Sequence, residues 1–291
     1  MGAHAYAVSN ILVGYPATAF SWFTTYGSPS SGGFTPANRT FLNDRRMDEQ
    51  VLVSASAASG VNVIIDVGGG GAVQPVAVAM LNSNCAVQKS DAALLVEASS
   101  NATFAADVNV AKAASTLYSS KTPWNKDHVL QWNANHTKRY WRFTWTWTGS
   151  VSNFSIGEIF IALATTQLAR RSIYGSGERL DAVVSQVQMQ YGGTRSGFRG
   201  GPVRQLDWQW DDLTASERDE LYAMHTASSF GGLPLLFINS YEATATAAAA
   251  SEQDCVFGRL IQPSYQFAEK DFRLYQPGGF SLRSEGREAG G

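Results

Sequence analysis

The sequence predicts a mostly β protein in two domains, with a single capped helix in the second, and three observations carry that prediction. Between Arg139 and Ala162 two strands follow one another with period-2 burial. Between residues 186 and 210 polar and apolar side chains alternate again, and Leu213-Thr214-Ala215-Ser216-Glu217 spells a helix start. At 291 residues the chain exceeds the ~100–200 residues of an ordinary domain, so it has room for two cores.

In the first half, Trp141, Phe143, Trp145 and Trp147 fall on one face of an extended segment, and Tyr140, Arg142, Thr144 and Thr146 fall on the other. A helix would scatter those rings around its axis, whereas a half-buried antiparallel strand collects them on one side. A turn at Gly149-Ser150 follows, and Ile156 to Ile161 resume a strand in which one carboxylate, Glu158, sits among apolar residues. This pair resembles the closing strands of discoidin-type domains, the galactose-binding-like jelly rolls, which commonly end in an aromatic-Trp-Arg strand and an Ile-Gly-Glu-Ile strand. Upstream segments agree in order: Leu42-Asn43-Asp44, then Val61 to Gly68 as a strand ending in Asp-hydrophobic-Gly, then Val76 to Asn84 as an apolar strand entering an Asn-containing turn. The resemblance spans residues 5 to 163 and implies a discoidin-like jelly-roll β-sandwich as domain 1–163. Two departures are visible: the cysteine pair that often staples the animal domains is missing, and Gly68 to Gly71 form a four-glycine turn. The fold expectation survives both, but no ligand is carried over from the animal relatives.

Residues 164–172, ATTQLARRS, break the alternation and carry paired arginines, as a linker between compact units would. Beyond them Val187, Met189 and Tyr191 alternate with Gln186, Gln188 and Gln190. After the Gly-rich stretch GGTRSGFRGGP, Leu206, Trp208 and Trp210 alternate with Gln205, Asp207 and Gln209. These read as two strands paired with each other and sharing one polar face. Thr214 and Glu217 form a capping box, so a helix is expected to start there, bury Leu221 and Met224, end near Ser228 and stop at Gly231-Gly232. An apolar strand, Leu233 to Ile238, precedes the low-complexity stretch YEATATAAAASEQD, which reads equally as a short helix or as a loop or lid. Cys255 to Leu260 form a last strand. This order resembles the compact β module of bacteriophage distal-tail and baseplate proteins over Ser172 to Pro263. It implies a tail-module-like, β-rich α+β domain at 172–291, with a carboxy-terminal extension whose polar end, Glu285 to Gly291, is mobile or ordered by a partner.

Composition narrows the function. Charged residues make up 16% of the chain, against roughly 25% in ordinary soluble domains, which suits a subunit covered by its neighbours. Net charge is −2 with acids and bases interleaved, so the basic footprint of a nucleic-acid binder is missing and no nucleic-acid partner is expected. The apolar runs are too short to span a bilayer and the amino terminus lacks a secretory layout, so no membrane insertion is expected and assembly is expected in the host cytoplasm. Cys85 and Cys255 stand in no metal or redox spacing and read as buried free thiols. Asn38, Asn101, Asn135 and Asn153 each open an N-x-Ser/Thr triplet, which without a secretory route is a chance match.

Catalytic groupings fail one by one. His4, His128, His136 and His225 occupy no metal-binding spacing, and Gly175-Ser176-Gly177 lacks the flanks of a nucleophile elbow. Gly68 to Gly71 follow a strand but no Lys-Ser/Thr follows them, which makes them a turn and not a phosphate loop. Asp211-Asp212 favour the amino terminus of the helix beside them. Asp44, Asp48 and Glu49, flanked by Arg45 and Arg46, supply too little negative charge for calcium. No catalytic residue, cofactor or metal is therefore expected. Trp22, Phe23, Tyr26 and Phe34 lie in a Gly/Ser-rich stretch and are the candidates for glycan or partner contact, because exposed rings stack on pyranose faces. The expected function is a non-enzymatic structural protein of a phage tail or baseplate, located in the virion and working with copies of itself and other tail proteins. The alternative is a carbohydrate-binding adhesion protein that recognises a host-surface glycan; a jelly roll hosts both.

Overall fold

The computed structural model describes residues 3–13, 16–23, 33–34, 51–53, 60–68, 72–81, 91–116, 128–131, 136–149, 154–169, 177–181, 184–188, 194–198, 203–208, 210, 212–229, 232–241, 251–253, 255–261, 267–271, 274–277 and 280–284. Among them the chain is antiparallel β-sheet with one α-helix and a 3-10 turn at Ala17–Ala19. It divides into two compact units. The larger comprises Ser9–Thr165 and Glu242–Cys255; the smaller comprises Met1–Val8, Thr166–Tyr241 and Val256–Gly291.

In the larger unit the aromatic strand, Tyr140–Thr146, lies inside a six-stranded sheet between Gly60–Asp66 and Ala93–Ser99. Phe20–Phe23 and Gly33–Phe34 extend the sheet on one side, and Val108–Thr116 extends it on the other. Register turns the alternation into a ladder. Trp141 sits opposite Ile65 and Ala98, Phe143 opposite Val63 and Val96, and Trp145 opposite Val61 and Leu94. All nine belong to one buried cluster, and the three rings are completely buried. Each such ring removes about 150–250 Å² from water, worth on the order of 4–6 kcal/mol as an upper bound. Gly60 permits the closest approach: a Cβ there would lie 2.5 Å from the Trp145 carbonyl oxygen.

A four-stranded sheet contributes Val78, Met80, Ile159 and Ile161 to the same cluster. Its order is Glu158–Ala162, Ala77–Leu81, His128–Gln131, Ser251–Gln253. The single strand expected from Ile156 to Ile161 is divided at Gly157. Phe154–Ile156 pairs with Val51–Val53, while Glu158–Ala162 pairs with Ala77–Leu81. Gly157 sits at a bend, and its amide still donates to the Leu81 carbonyl at 3.0 Å. Glu158, the lone carboxylate of that strand, is completely buried and accepts from Asn10 Nδ2 at 2.9 Å. The same Asn10 amide donates to the Ile159 carbonyl, and its Oδ1 accepts from the Leu12 and Ile161 amides. Asn10 thereby satisfies the buried backbone where the chain enters this unit.

The smaller unit is a seven-stranded sheet in the order Thr166–Gln167, Ala3–Ala7, Leu235–Tyr241, Cys255–Leu260, Phe280–Ser284, Val203–Trp208, Gly177–Asp181. Several boundaries differ from the sequence expectation of 1–163 and 172–291. Ala3–Ala7 was expected with the first domain but pairs with Thr166–Gln167 and Leu235–Tyr241, because its buried Ala5, Tyr6 and Ala7 need a partner on each side. The expected linker accordingly contains an edge strand, and Leu168 behind it joins the core. The expected extension supplies Phe280–Ser284, an interior strand whose Leu282 is completely buried. Among the described residues the two Gln-alternating segments do not pair with each other. Val184–Gln188 pairs with Thr194–Phe198, a strand inside the glycine-rich stretch, while Val203–Trp208 pairs with Gly177–Asp181 and Phe280–Ser284. Closing the shorter loop costs less chain entropy. Within the expected loop or lid, Ser251–Gln253 is a strand on His128–Gln131.

The helix spans Ala215–Ala227 and buries Leu221, Met224 and His225. Its capping box is complete: Thr214 Oγ1 accepts from the Glu217 amide at 3.3 Å, and Glu217 Oε2 accepts from the Thr214 amide at 2.8 Å. It ends beside Ser228, where the sequence places its end. Ser228 caps it, with its hydroxyl donating to the His225 carbonyl at 2.8 Å, and Ser229 turns into the left-handed region at φ 51.

Replacing Trp141 by Ala is expected to destabilise the protein by about 3–5 kcal/mol, because the cavity sits inside three packed strands. The indole also donates to the Lys138 carbonyl at 3.2 Å, a bond that the variant loses. An unchanged urea midpoint would contradict the ladder. Thr214→Ala should cost about 1 kcal/mol, read as a lower thermal midpoint of the transition that includes the helix.

Candidate functional site

Period-2 pairing that sends the aromatic ladder inward sends Ile64, Asp66, Tyr140, Arg142 and Glu97 to the outer face of the same sheet. That face is not simply solvated. The loop after Ala93–Ser99 folds back over it, and Phe104 packs with Phe23 and Ile64, against which Val108 and Tyr140 rest. Hydrogen bonds along the loop hold it in place. Ser99 Oγ donates to the Ala106 carbonyl at 3.0 Å and accepts from the Asn101 amide at 2.9 Å. Asn101 Oδ1 accepts from both the amide and the hydroxyl of Thr103, at 2.9 and 2.8 Å. The Asn101 triplet is therefore a side-chain-closed turn. Phe104 and Asp107 adopt positive φ of 52 and 57, which bends the loop back on itself.

Three ion pairs lock the surface beneath and beside the loop. Arg142 contacts Glu97 at 2.8 Å, both largely buried, and its guanidinium lies 4.3 Å above the Phe104 ring. Arg139 grips Asp66 with two hydrogen bonds of 2.8 Å, the fork-on-fork geometry that suits a guanidinium to a carboxylate. The Gly68 amide adds a third bond to Asp66 at 3.1 Å. The Arg139 guanidinium beside Asp66 holds its carboxyl below the usual carboxylate range, opposed in part by burial, and the same pairing raises Arg139. Arg139 also lies 5.0 Å over the Tyr140 ring. Lys138 pairs with Asp107 at 2.6 Å.

Between these groups lies a pocket of about 300 Å³. Phe23, Ile64 and Tyr140 form apolar wall, and Ser21, Thr103 and Asp66 bring hydroxyls and a carboxylate to it. Of the four aromatics singled out by sequence, Phe23 lines this pocket and is 6% exposed, a wall residue and not a free ring. Trp22 and Phe34 are described by backbone alone, facing each other in register, and Tyr26 lies outside the described residues. So do Cys85 and the acids Asp44, Asp48 and Glu49. His4 is buried among Trp208, Trp210 and Phe237, at ring separations of 5.5 to 6.5 Å, and His225 is on the buried face of the helix. Among the described residues no group of three His, Cys, Asp or Glu side chains converges as a metal would require, and no helix is long and apolar enough to cross a membrane.

Asp66 and Tyr140 were not singled out by sequence reasoning. Their signal was present: an aspartate closing the apolar run Val61 to Ile65, and a tyrosine opening the aromatic strand on its polar side. No protein-family model matches the chain, and no curated protein or solved structure matches it either.

Because folding lowers the Asp66 pKa, the Asp66–Arg139 pair stabilises fully above the ordinary carboxylate value of ~3.9, and that contribution is lost as pH falls through the lower folded value. Asp66→Asn should therefore lower the thermal midpoint near neutral pH, and the gap to wild type should close as pH drops below about 4. Parallel acid profiles for the two proteins would contradict the pairing.

Proposed function

We propose that this chain is a structural protein of a bacteriophage tail or baseplate, acting by self-association with its own copies and by docking onto other tail proteins in the virion. In this reading the larger unit, two antiparallel sheets around one core, is the discoidin-like jelly roll, and the smaller unit is the tail-type β module with its capped helix. The observation that carries it is the supply of strand edges in the smaller unit. Val184–Gln188 with Thr194–Phe198, and Phe267–Asp271 with Leu274–Pro277, are two-stranded ribbons that join no larger sheet among the described residues. Gly177–Asp181, immediately before the first ribbon, is an edge of the seven-stranded sheet.

An edge strand presents a row of unpaired amides and carbonyls, and pairing with a neighbouring copy satisfies them. Head-to-tail repetition of such a contact closes into a ring when the rotation closes. With charged residues only 16% of the chain, covering its surface costs less desolvation. The work is assembly and not chemistry, and nucleic acid and membrane insertion play no part in it. A second reading, an adhesion protein that recognises a host-surface glycan, is favoured by the pocket beside Tyr140.

The test is the mass of the full chain in solution by light scattering, together with protein identification in purified virions. A closed cyclic oligomer and stoichiometric presence in the tail are the expected results. A proline at Arg179, which removes a backbone donor from the edge strand, should weaken assembly while leaving the larger unit folded. A chain that stays monomeric at high concentration and never appears in particles would contradict the proposal.

A further inference from the structure

We infer that Phe104 is an internal plug in a seat for the aromatic side chain of a partner protein, and that the Ser100–Asp107 loop is the strap that withdraws it. The inference concerns the larger unit alone and does not rest on the assembly reading.

The strap has one buried anchor. From Ser100 to Asp107 every residue is exposed except Phe104, which is 8% exposed. Beside that anchor, Ser99 Oγ donates to the Ala106 carbonyl and Lys138 pairs with Asp107, whose side chain is half exposed. An ion pair so open to water holds weakly. Asn101 closes its turn within the strap, so these residues can lift as one piece. The anchor is also strained. Phe104 stands at φ 52, where the Cβ of a bulky residue crowds its own backbone. Strain of that kind is comparable in size with the gain from burying one phenyl ring, so the closed strap leads the open one by a small margin.

The seat belongs to the sheet and not to the strap. Phe23 and Ile64 line it, Val108 and Tyr140 rest against them, and the Arg142 guanidinium lies 4.3 Å from the centre of the Phe104 ring. Glu97 accepts from Arg142 Nε at 2.9 Å and lies 2.8 Å from Nη2, which occupies the edge of the guanidinium and leaves a face for a ring. An aliphatic group would fill the volume but forgo the attraction between that face and a π cloud. An anionic group would meet Glu97, which already neutralises Arg142. The seat therefore selects an aromatic ring. Lifting the strap also bares the sheet face beside the ring, which a polypeptide segment covers and a lone small molecule does not. A partner that presents its ring from a relaxed backbone replaces Phe104 without the strain that Phe104 carries.

Two measurements on the full chain test this. The first is thiol labelling of Ile64→Cys and of Val63→Cys, each in a Cys85→Ser/Cys255→Ser background. These positions are neighbours in one strand, the first under the plug and the second in the inner core. Ile64→Cys should label at least ~100-fold faster, because it needs only the local opening. Asp107→Asn unties Lys138 but keeps a side chain tolerant of positive φ, and it should speed Ile64→Cys severalfold while leaving Val63→Cys unchanged.

The second is calorimetric titration of Phe104→Gly and of wild type with the N-acetyl amides of phenylalanine and of cyclohexylalanine, and with phenol. Glycine accepts the positive φ and empties the seat. The phenylalanine amide should bind the variant saturably in the millimolar range, at least about fivefold tighter than its cyclohexyl counterpart, and wild type far more weakly. Equal labelling of the two cysteines, or an equal response of both to Asp107→Asn, would show that the strap does not open and would overturn the inference. So would equal binding of the two amides, or of the phenylalanine amide by variant and wild type. Phenol binding more tightly than the phenylalanine amide would give the seat to a free small molecule and overturn the protein partner. Labelling is read on chains that keep Phe104, so it decides the case even where Phe104→Gly fails to fold.

Discussion

The larger unit depends on one constraint: the rings of Trp141, Phe143 and Trp145 must meet the aliphatic side chains of two neighbouring strands in a single register. A slip of one residue would carry all three rings to the outer face and bring Arg142 into the apolar core. Burying rings of that size outweighs every other local preference in the strand, so the register of Gly60–Asp66 and Ala93–Ser99 follows from it. Gly60 shows how closely the packing is set, since even a methyl group there would collide with the Trp145 carbonyl. The outer face is then determined as a by-product. Arg142 must stand across from Glu97, and Tyr140 must stand at the row that ends in Asp66.

Burying polar groups on a sheet whose inner face is already dry costs free energy unless each finds a partner. Glu97 and Arg142 neutralise one another under Phe104, and Asn10 meets Glu158 on the opposite sheet. The Glu97–Arg142 ion pair contributes little net stability compared with apolar replacements, but removing one member leaves a buried charge behind. The effect of both contacts is specificity: Arg142 accepts the loop only with Phe104 above it, and Asn10 admits the chain only with Ile161 and Leu12 in place. The pocket is built from the same parts, with Asp66 and Arg139 as its more exposed counterpart.

What was legible in the sequence was local. The two faces of Tyr140–Thr146 could be read because period 2 and ring size agree, and the start of the helix could be read because the capping box lies within four residues. Partners distant in sequence could not. Asp66 and Arg139 are 73 positions apart, and Asn10 and Glu158 are 148 apart; neither pattern announces itself in one chain. The placement of Ala3–Ala7 beside Leu235–Tyr241 is set by which sheet can bury Ala5, Tyr6 and Ala7, and alternation says nothing about that choice. The bend at Gly157 and the ribbon inside the glycine-rich stretch were missed for a related reason. Glycine marks a place where the backbone turns without saying which strand it turns towards.

Native-state hydrogen exchange tests the aromatic ladder most directly, because it reports the opening free energy of each amide. If the ladder organises the larger unit, the amides of residues 61–65, 94–98 and 141–145 exchange together and only through the unit's highest-energy opening, more slowly than those of the Ser100–Asp107 loop. Exchange of the 141–145 amides as fast as those of the loop would contradict the account.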